Sequence, residues 1–260
     1  MNRFISVRLV VGLLLLATQG VISPVVCAEE IRVAGEYYTE DFILQPLKEP
    51  FKSATGIALT VQLAMIPNAF RALMGQTLDA FVNSLPDEEL FLELKAAVPE
   101  IDQSLIRSTK IAKVPVSVVV AKANPCARLS KQELKSVFTG KITSWKELGG
   151  KDETIRIIRP WGTTERSALR FQIMDGEKYV ADMVPPGSWE GIRKLLSQDV
   201  DAISILPTAL VDNSVKIIET PEITQFATVL TKGEPSAAVR KFIDYVQGEG
   251  VRYLKIFPGQ

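Results

Sequence analysis

The sequence of 260 residues contains no histidine and only two cysteines, and these absences exclude several kinds of active site. Without histidine, neither a Ser-His-Asp triad nor a Cys-His pair can form, and no zinc site can use imidazole ligands. Two cysteines are also too few for a metal site built from thiolates alone. The remaining sequence contains no other catalytic motif. We therefore expect a protein that is not an enzyme and that needs no metal or other cofactor.

The sequence also lacks a surplus of charge of either sign, because 30 Lys and Arg residues stand against 30 Asp and Glu residues. Proteins that bind nucleic acid neutralise phosphates with a basic surplus, so we expect no nucleic-acid partner. What the sequence does have is apolar residues, which make up 47% of the chain. At this length they suffice for a sizeable core in one or two domains.

The first 28 residues have the composition of a signal peptide. Two arginines lie within the first eight residues, and an almost uninterrupted apolar run follows from 9 to 17. Val26 and Ala28 occupy the −3 and −1 positions of a signal-peptidase site, which predicts cleavage before Glu29 and export to the periplasm. The alternative is a retained membrane anchor, although the run is short for a bilayer. Cleavage would leave Cys126 as the single cysteine, so no internal disulfide could form.

Strand-like and helix-like segments alternate along the rest of the chain. Apolar residues recur at helical spacing between the strands, and the pairs Ser130 with Glu133 and Ser144 with Glu147 have the pattern of capping boxes. Repeated strand–helix units predict an α/β fold with mostly parallel sheets. The predicted strands are 31–34, 57–63, 78–82, 114–121, 155–158, 202–206 and 226–230.

The segment 159–167 is the strongest candidate for a binding site. A predicted strand runs into Arg159, a turn follows at Gly162, and a helix begins near Thr163 or Thr164. Ligands of open α/β sheets bind at the carboxyl ends of strands, and free N–H groups at a helix start suit an anion. An arginine adds a second anion-binding group. The alternative is that Thr163 only caps the helix and that the charges are solvated.

Around this segment the sequence resembles the PstS-like phosphate-binding proteins of ABC transporters. The resemblance rests on three further stretches besides 159–167. A valine-rich strand precedes Asn124 and Pro125, the region 129–150 carries the most specific motif around Phe138 and Trp145, and a turn at 231–235 leads into a C-terminal helix.

The resemblance implies a periplasmic-binding-protein fold with two α/β lobes joined by crossover strands. Residues 29–112 and 206–260 would form lobe 1, and residues 113–205 would form lobe 2. The lobes would close on a small oxyanion, phosphate or a related ion, and deliver it to an ABC permease in the inner membrane. We expect a monomer that carries out this transport function.

The resemblance also assigns candidate ligand-binding residues. The family's second-lobe motif is an arginine followed by Gly-Ser-Gly-Thr, of which this chain keeps the arginine, the first glycine and hydroxyl side chains. The family's hydroxyl-bearing turn after the first strand falls at 35–39, and its proton-accepting aspartate falls at a serine. The candidates are Tyr37, Thr39, Asn83, Ser84, Arg159, Gly162, Thr163 and Thr164.

Three departures from the family pattern indicate a degenerate anion site and support a second hypothesis. Glu165 stands at a position where the family has threonine, Glu36 adds another charge, and the family's Gly/Ser-rich loop falls at 65–69, which reads Met-Ile-Pro-Asn-Ala. The fold could therefore be kept without its phosphate site. The protein would then be an envelope sensory or protein-interaction module or would bind an organic ligand, for which Tyr37 and Tyr38 are suited.

Overall fold

The computed structural model describes residues 29–257, so the predicted signal peptide and its cleavage site lie outside the described residues. Eight strands occur in this range, and they belong to one sheet. All seven predicted strands are confirmed, whereas the sequence pattern did not predict β7. The strands are β1 Glu30–Gly35, β2 Ala58–Leu63, β3 Ala80–Asn83, β4 Ile106–Ala121, β5 Arg156–Ile157, β6 Ala202–Pro207, β7 Val215–Ile217 and β8 Ile223–Lys232.

The sheet has the strand order β2-β1-β3-β8-β4-β6-β5, with β7 paired to β4. The pairs β1–β2, β1–β3 and β5–β6 are parallel, and the pairs that involve β4 or β8 are antiparallel. The long strands β4 and β8 pair with each other from Ile106 opposite Lys232 to Val116 opposite Ile223. They thus connect a parallel unit at one end of the sheet with a parallel pair at the other.

Helices connect the strands, as expected of an α/β fold. Both predicted capping boxes form: Ser130 and Glu133 cap α5, and Ser144 and Glu147 cap a short 3-10 turn. Within residues 29–257, no helix combines the length and the apolar character that crossing a membrane requires. The helices are α1 Tyr37–Thr39, which continues through a π turn into α2 Gln45–Thr55, α3 Ile66–Met74, α4 Asp87–Ala97, α5 Lys131–Phe138, α6 Thr163–Gln172, α7 Trp189–Gln198 and α8 Ala237–Gln247.

Helices cover both faces of the sheet at each end. Successive strand residues point to opposite faces, and Val33 and Ala34 of β1 accordingly belong to two different hydrophobic clusters. In β4, Val118 and Val119 are likewise divided between two other clusters. The α/β fold class is therefore confirmed, with two hydrophobic clusters in each half of the sheet, one on each face.

The crossover strands β4 and β8 each pass from a hydrophobic cluster of one half of the sheet to a cluster of the other half. Val114 of β4 and Ala227 of β8 pack in the cluster of Val33, whereas Val116 of β4 and Ile223 of β8 pack in the cluster of Val118. The predicted lobe boundaries stay a prediction. Because Ile218 also packs in the cluster of Val118, the packing favours a return crossing within β8 rather than at residue 206.

Candidate ligand-binding cleft

A cavity of about 250 Å³ lies where the two halves of the molecule meet. One wall comes from the residues after β1 and β3, and the opposite wall from 161–165 at the start of α6 and from Trp189 at the start of α7. Gln225 of the crossover strand β8 also lines it. Carboxyl ends of strands and helix N-termini therefore face this cavity, as in ligand sites of open α/β sheets. We call it the cleft.

A larger depression of about 860 Å³ lies near Cys126 and the start of α5. It is more open to solvent than the cleft, and none of the predicted site residues lines it. The Ser130 and Glu133 side chains at its edge are satisfied by their mutual capping hydrogen bonds. This depression therefore offers less for ligand recognition than the cleft does.

Five of the eight predicted site residues line the cleft. Tyr37 is exposed at its mouth, and Ser84 is buried on the wall formed by the first half. Gly162, Thr163 and Thr164 form part of the opposite wall. The structure thus brings residues of both predicted half-sites together around one cavity.

The other three predicted residues are not among those that line the cleft. Thr39 is fully buried, and its hydroxyl donates to the Val82 carbonyl at 2.8 Å. Asn83 is also fully buried, and its Oδ1 accepts from the Leu85 N–H at 2.8 Å. Arg159 is exposed, and no ion pair to its guanidinium is found among the described residues. A ligand role for these three stays a prediction.

Glu165 fills the N-terminus of α6 with the chain's own carboxylate. It is the third residue of the helix, only 3% exposed, and its side chain folds back over the N-cap residue Gly162. A Cβ at Gly162 would lie 1.9 Å from Oε2, so only glycine leaves room for this approach. Glu165 Oε1 accepts a hydrogen bond from Trp189 Nε1 at 2.8 Å. Because a helix N-terminus attracts negative charge, Glu165 takes the place that an external anion would occupy.

Burial raises the pKa of the Glu165 carboxyl, because the desolvation of its charge outweighs the stabilisation of that charge. The stabilising contributions are hydrogen bonds from its own backbone N–H and from Trp189, and the charge of Arg166. Arg166 itself bonds the Thr163 hydroxyl at 3.1 Å and is not among the residues that line the cleft.

Glu36 places a second carboxyl group at the cleft, directly after β1. Its Oε1 is shielded from solvent and has no hydrogen-bond partner. Burial, followed by the charges of Glu93 and Glu165, raises the pKa of Glu36 to about 7. The two carboxylates are not balanced locally, because no lysine or arginine lines the cleft.

Aromatic side chains complete the walls. The Tyr38 ring meets the Trp189 ring edge-to-face with centroids 6.2 Å apart, and the Tyr38 hydroxyl is buried without a partner. Trp189 also packs against hydrophobic clusters of both halves, so this contact joins them across the cleft. Tyr37, Met65 and Trp161 are exposed at the mouth. The cleft is thus acidic inside and apolar at its entrance.

Gln225 and Trp189 are cleft residues that the sequence analysis did not name. Gln225 is 4% exposed, and its Oε1 has no hydrogen-bond partner. A signal was available, since Gln225 lies between Ile223 and Ala227 at the inward-facing positions of an alternating strand. Among the described residues, no group of His, Cys, Asp or Glu side chains could hold a metal ion.

A family model described as a PBP superfamily domain matches residues 28–175 of this chain. The phosphate-binding protein PstS of Bacillus subtilis (strain 168) is 29% identical over 182 residues. That alignment covers 64% of this chain and 59% of the Bacillus protein, so this chain matches less than two thirds of the length of that relative. The resemblance predicted from the sequence motifs is confirmed.

Two solved structures share the fold. One is a phosphate ABC transporter substrate-binding protein with bound phosphate from Clostridium perfringens, with a TM-score of 0.67, 20% identity, and coverage of 86% of this chain and 96% of that one. The other is an ABC-type phosphate transport receptor from Vibrio cholerae, with a TM-score of 0.65, 18% identity, and coverage of 85% and 95%. At these identities the likeness concerns the fold.

Proposed function

The chain belongs to the PBP superfamily, and we propose that it is a periplasmic solute-binding protein that captures a small solute in the cleft and delivers it to an ABC permease. The observation that carries the proposal is the set of buried polar atoms at the cleft that lack protein partners, on Glu36, Tyr38 and Gln225. Buried polar groups without partners are costly, so a ligand that pairs with them gains binding energy. Export would depend on the predicted signal peptide.

A small oxyanion is the solute that the sequence motifs predict, and the relatives above are named for phosphate. The hydroxyls of Ser84, Thr163 and Thr164 support this candidate. The carboxylates of Glu36 and Glu165 weigh against it, because a desolvated dianion beside them lacks compensating positive charge. We therefore propose that the fold of the phosphate receptors is kept, whereas the solute is not a phosphate dianion.

A thermal-unfolding screen of the purified protein tests whether the cleft binds a solute. The panel contains phosphate, sulfate, organic phosphates, carboxylates, sugars and amines. A solute at about 100 times its Kd is expected to add about 2.7 kcal/mol to the stability and to raise Tm by about 5–10 °C. Thr163→Trp places a large ring at the exposed edge of the cleft and should abolish the shift, whereas Lys52→Trp, on the exposed face of α2, should not. A cooperative transition that no solute moves would contradict the proposal and favour an interaction module.

Restoring a neutral residue at position 165 tests why phosphate is disfavoured. In Glu165→Thr the carboxylate no longer fills the N-terminus of α6. The free backbone N–H groups of the helix can then donate to a bound anion. We expect the affinity for phosphate to rise at least tenfold above that of the unchanged protein, measured by titration calorimetry. Glu49→Thr, on the exposed side of α2, serves as the control. Phosphate binding that is equal or tighter in the unchanged protein would refute the assignment of Glu165 as an internal anion.

A further inference from the structure

We propose that the cleft recognises a small organic amine, whose N–H groups donate to Glu36 and Gln225 and whose apolar part lies against the aromatic rings. This inference rests on the proposed function and specifies its ligand class. It follows from three properties of the cleft, namely unpaired acceptors, acidic side chains and an aromatic lining.

The first property is a set of buried hydrogen-bond acceptors that no protein group pairs with. Glu36 Oε1 and Gln225 Oε1 are both buried without a partner, and an ionised carboxylate and an amide oxygen can only accept. The Tyr38 hydroxyl, also unpartnered, can accept as well. A ligand with several N–H donors pairs with all three atoms, whereas an oxyanion, which itself accepts, pairs only with the Tyr38 hydroxyl.

The second property is an excess of acidic side chains, since no lysine or arginine lines the cleft. The groups whose charges act on Glu36 are Glu93 of α4 and Glu165 of α6, and both are acidic. Glu93 in turn is influenced by Glu89. The positive charge that acts on Glu165 is that of Arg166, which is not among the cleft-lining residues. A monocation in the cleft reduces this repulsion, whereas a neutral solute leaves it and an anion increases it.

The third property is the aromatic lining. Tyr38 and Trp189 lie inside, with Tyr37 and Trp161 at the mouth. Aromatic faces attract cations and also cover hydrocarbon. With polar acceptors inside and apolar groups at the entrance, the ammonium group is expected to enter first. A cavity of about 250 Å³ corresponds to about eight water molecules, so the ligand is small.

Titration calorimetry with three matched probes tests the ligand class. Phenethylamine carries an ammonium group with N–H donors, its N,N,N-trimethyl analogue carries the same charge without donors, and 3-phenylpropanoate carries the opposite charge. We expect phenethylamine to bind, the trimethyl analogue to bind at least tenfold more weakly, and 3-phenylpropanoate and inorganic phosphate not to bind. Other primary amines of similar size are expected to compete with phenethylamine for the cleft.

Two variants assign the binding to the cleft. Glu36→Gln is expected to weaken phenethylamine binding at least tenfold, whereas Glu49→Gln should leave it unchanged because Glu49 lies on the exposed side of α2. Because the pKa of Glu36 is near 7, a cation must displace its proton below that pH. As the pH is raised toward 7, the affinity of the unchanged protein for phenethylamine should therefore increase by up to about tenfold per pH unit. Above pH 7 the affinity should level off, and Glu36→Gln should show no such increase.

The outcomes separate this inference from the proposed function. If phosphate or 3-phenylpropanoate binds the unchanged protein and Thr163→Trp prevents it, the cleft is a solute site and the amine assignment is wrong. Equal affinities for phenethylamine and its trimethyl analogue, or binding that survives Glu36→Gln, would also overturn the assignment. If neither these probes nor any solute of the wider panel binds, both proposals fail.

Discussion

Replacing Gly162 by alanine is expected to destabilise the protein by about 2–3 kcal/mol, and most of this cost should disappear when Glu165 is also replaced by alanine. The new Cβ would lie 1.9 Å from Glu165 Oε2 and 2.7 Å from its Cδ, so the carboxylate must move. Its movement breaks the hydrogen bond from Trp189. The backbone itself tolerates alanine, because φ at Gly162 is −74°.

A double-mutant cycle in urea measures this coupling. The four proteins are the unchanged chain, Gly162→Ala, Glu165→Ala and the double variant, and the coupling energy isolates the contact between the two side chains. Gly75→Ala is the matched control, since Gly75 has a similar φ of −76° and its nearest neighbour is the Arg71 carbonyl. Additive effects of Gly162→Ala and Glu165→Ala would show that Glu165 does not fold over the helix start.

The fold and the turn that borders the candidate cleft could be predicted because short stretches of sequence determine them. The capping box of Ser130 and Glu133 closes within four residues, and apolar runs such as 202–206 become buried strands regardless of their distant neighbours. The turn at Gly162 before α6 is likewise local. These features need only hydrogen bonds and hydrophobic periodicity within one element.

The chemistry of the cleft could not be predicted in the same way, because it depends on contacts between distant parts of the chain. A glutamate at the third position of a helix commonly bonds back to the N-cap or faces water. The inward direction of Glu165 depends on Trp189, which arrives from another helix. Gln225 reaches the cleft because β8 crosses from one half to the other.

Arg159 is a residue that the sequence motif assigned to the binding site but that does not line the cleft. The motif suggested an arginine that binds the anion, yet the side chain is exposed and the cleft is lined by two carboxylates and no cation. Glu165 places a carboxyl group at the start of α6, and a role for Arg159 in binding an external anion stays a prediction.

The free energy of unfolding of the unliganded protein is expected to fall by about 3 kcal/mol as the pH rises from 4.5 to 7, because of Glu36. The pKa of its carboxyl is about 7 in the folded protein and 4.5 when unperturbed, so the folded state holds the proton longer. The contribution of such a group to the free energy of unfolding is fully present below the lower pKa. It is lost as the pH rises through the higher pKa. The raised pKa values of Glu165 and Glu93 act in the same direction.

Urea unfolding at intervals between pH 4.5 and pH 8 measures this loss. In Glu36→Gln the free energy of unfolding should depend less on pH, and this variant should be more stable than the unchanged protein at pH 8, because the amide carries no charge to desolvate. The control Glu49→Gln should show the same pH dependence as the unchanged protein. Below pH 4 a separate loss is expected from carboxylates with lowered pKa values, such as Asp79 beside Arg32. Equal stability of the unchanged protein at pH 5 and pH 8 would mean that Glu36 is solvated and that the cleft lacks a buried charge for a cationic ligand to neutralise.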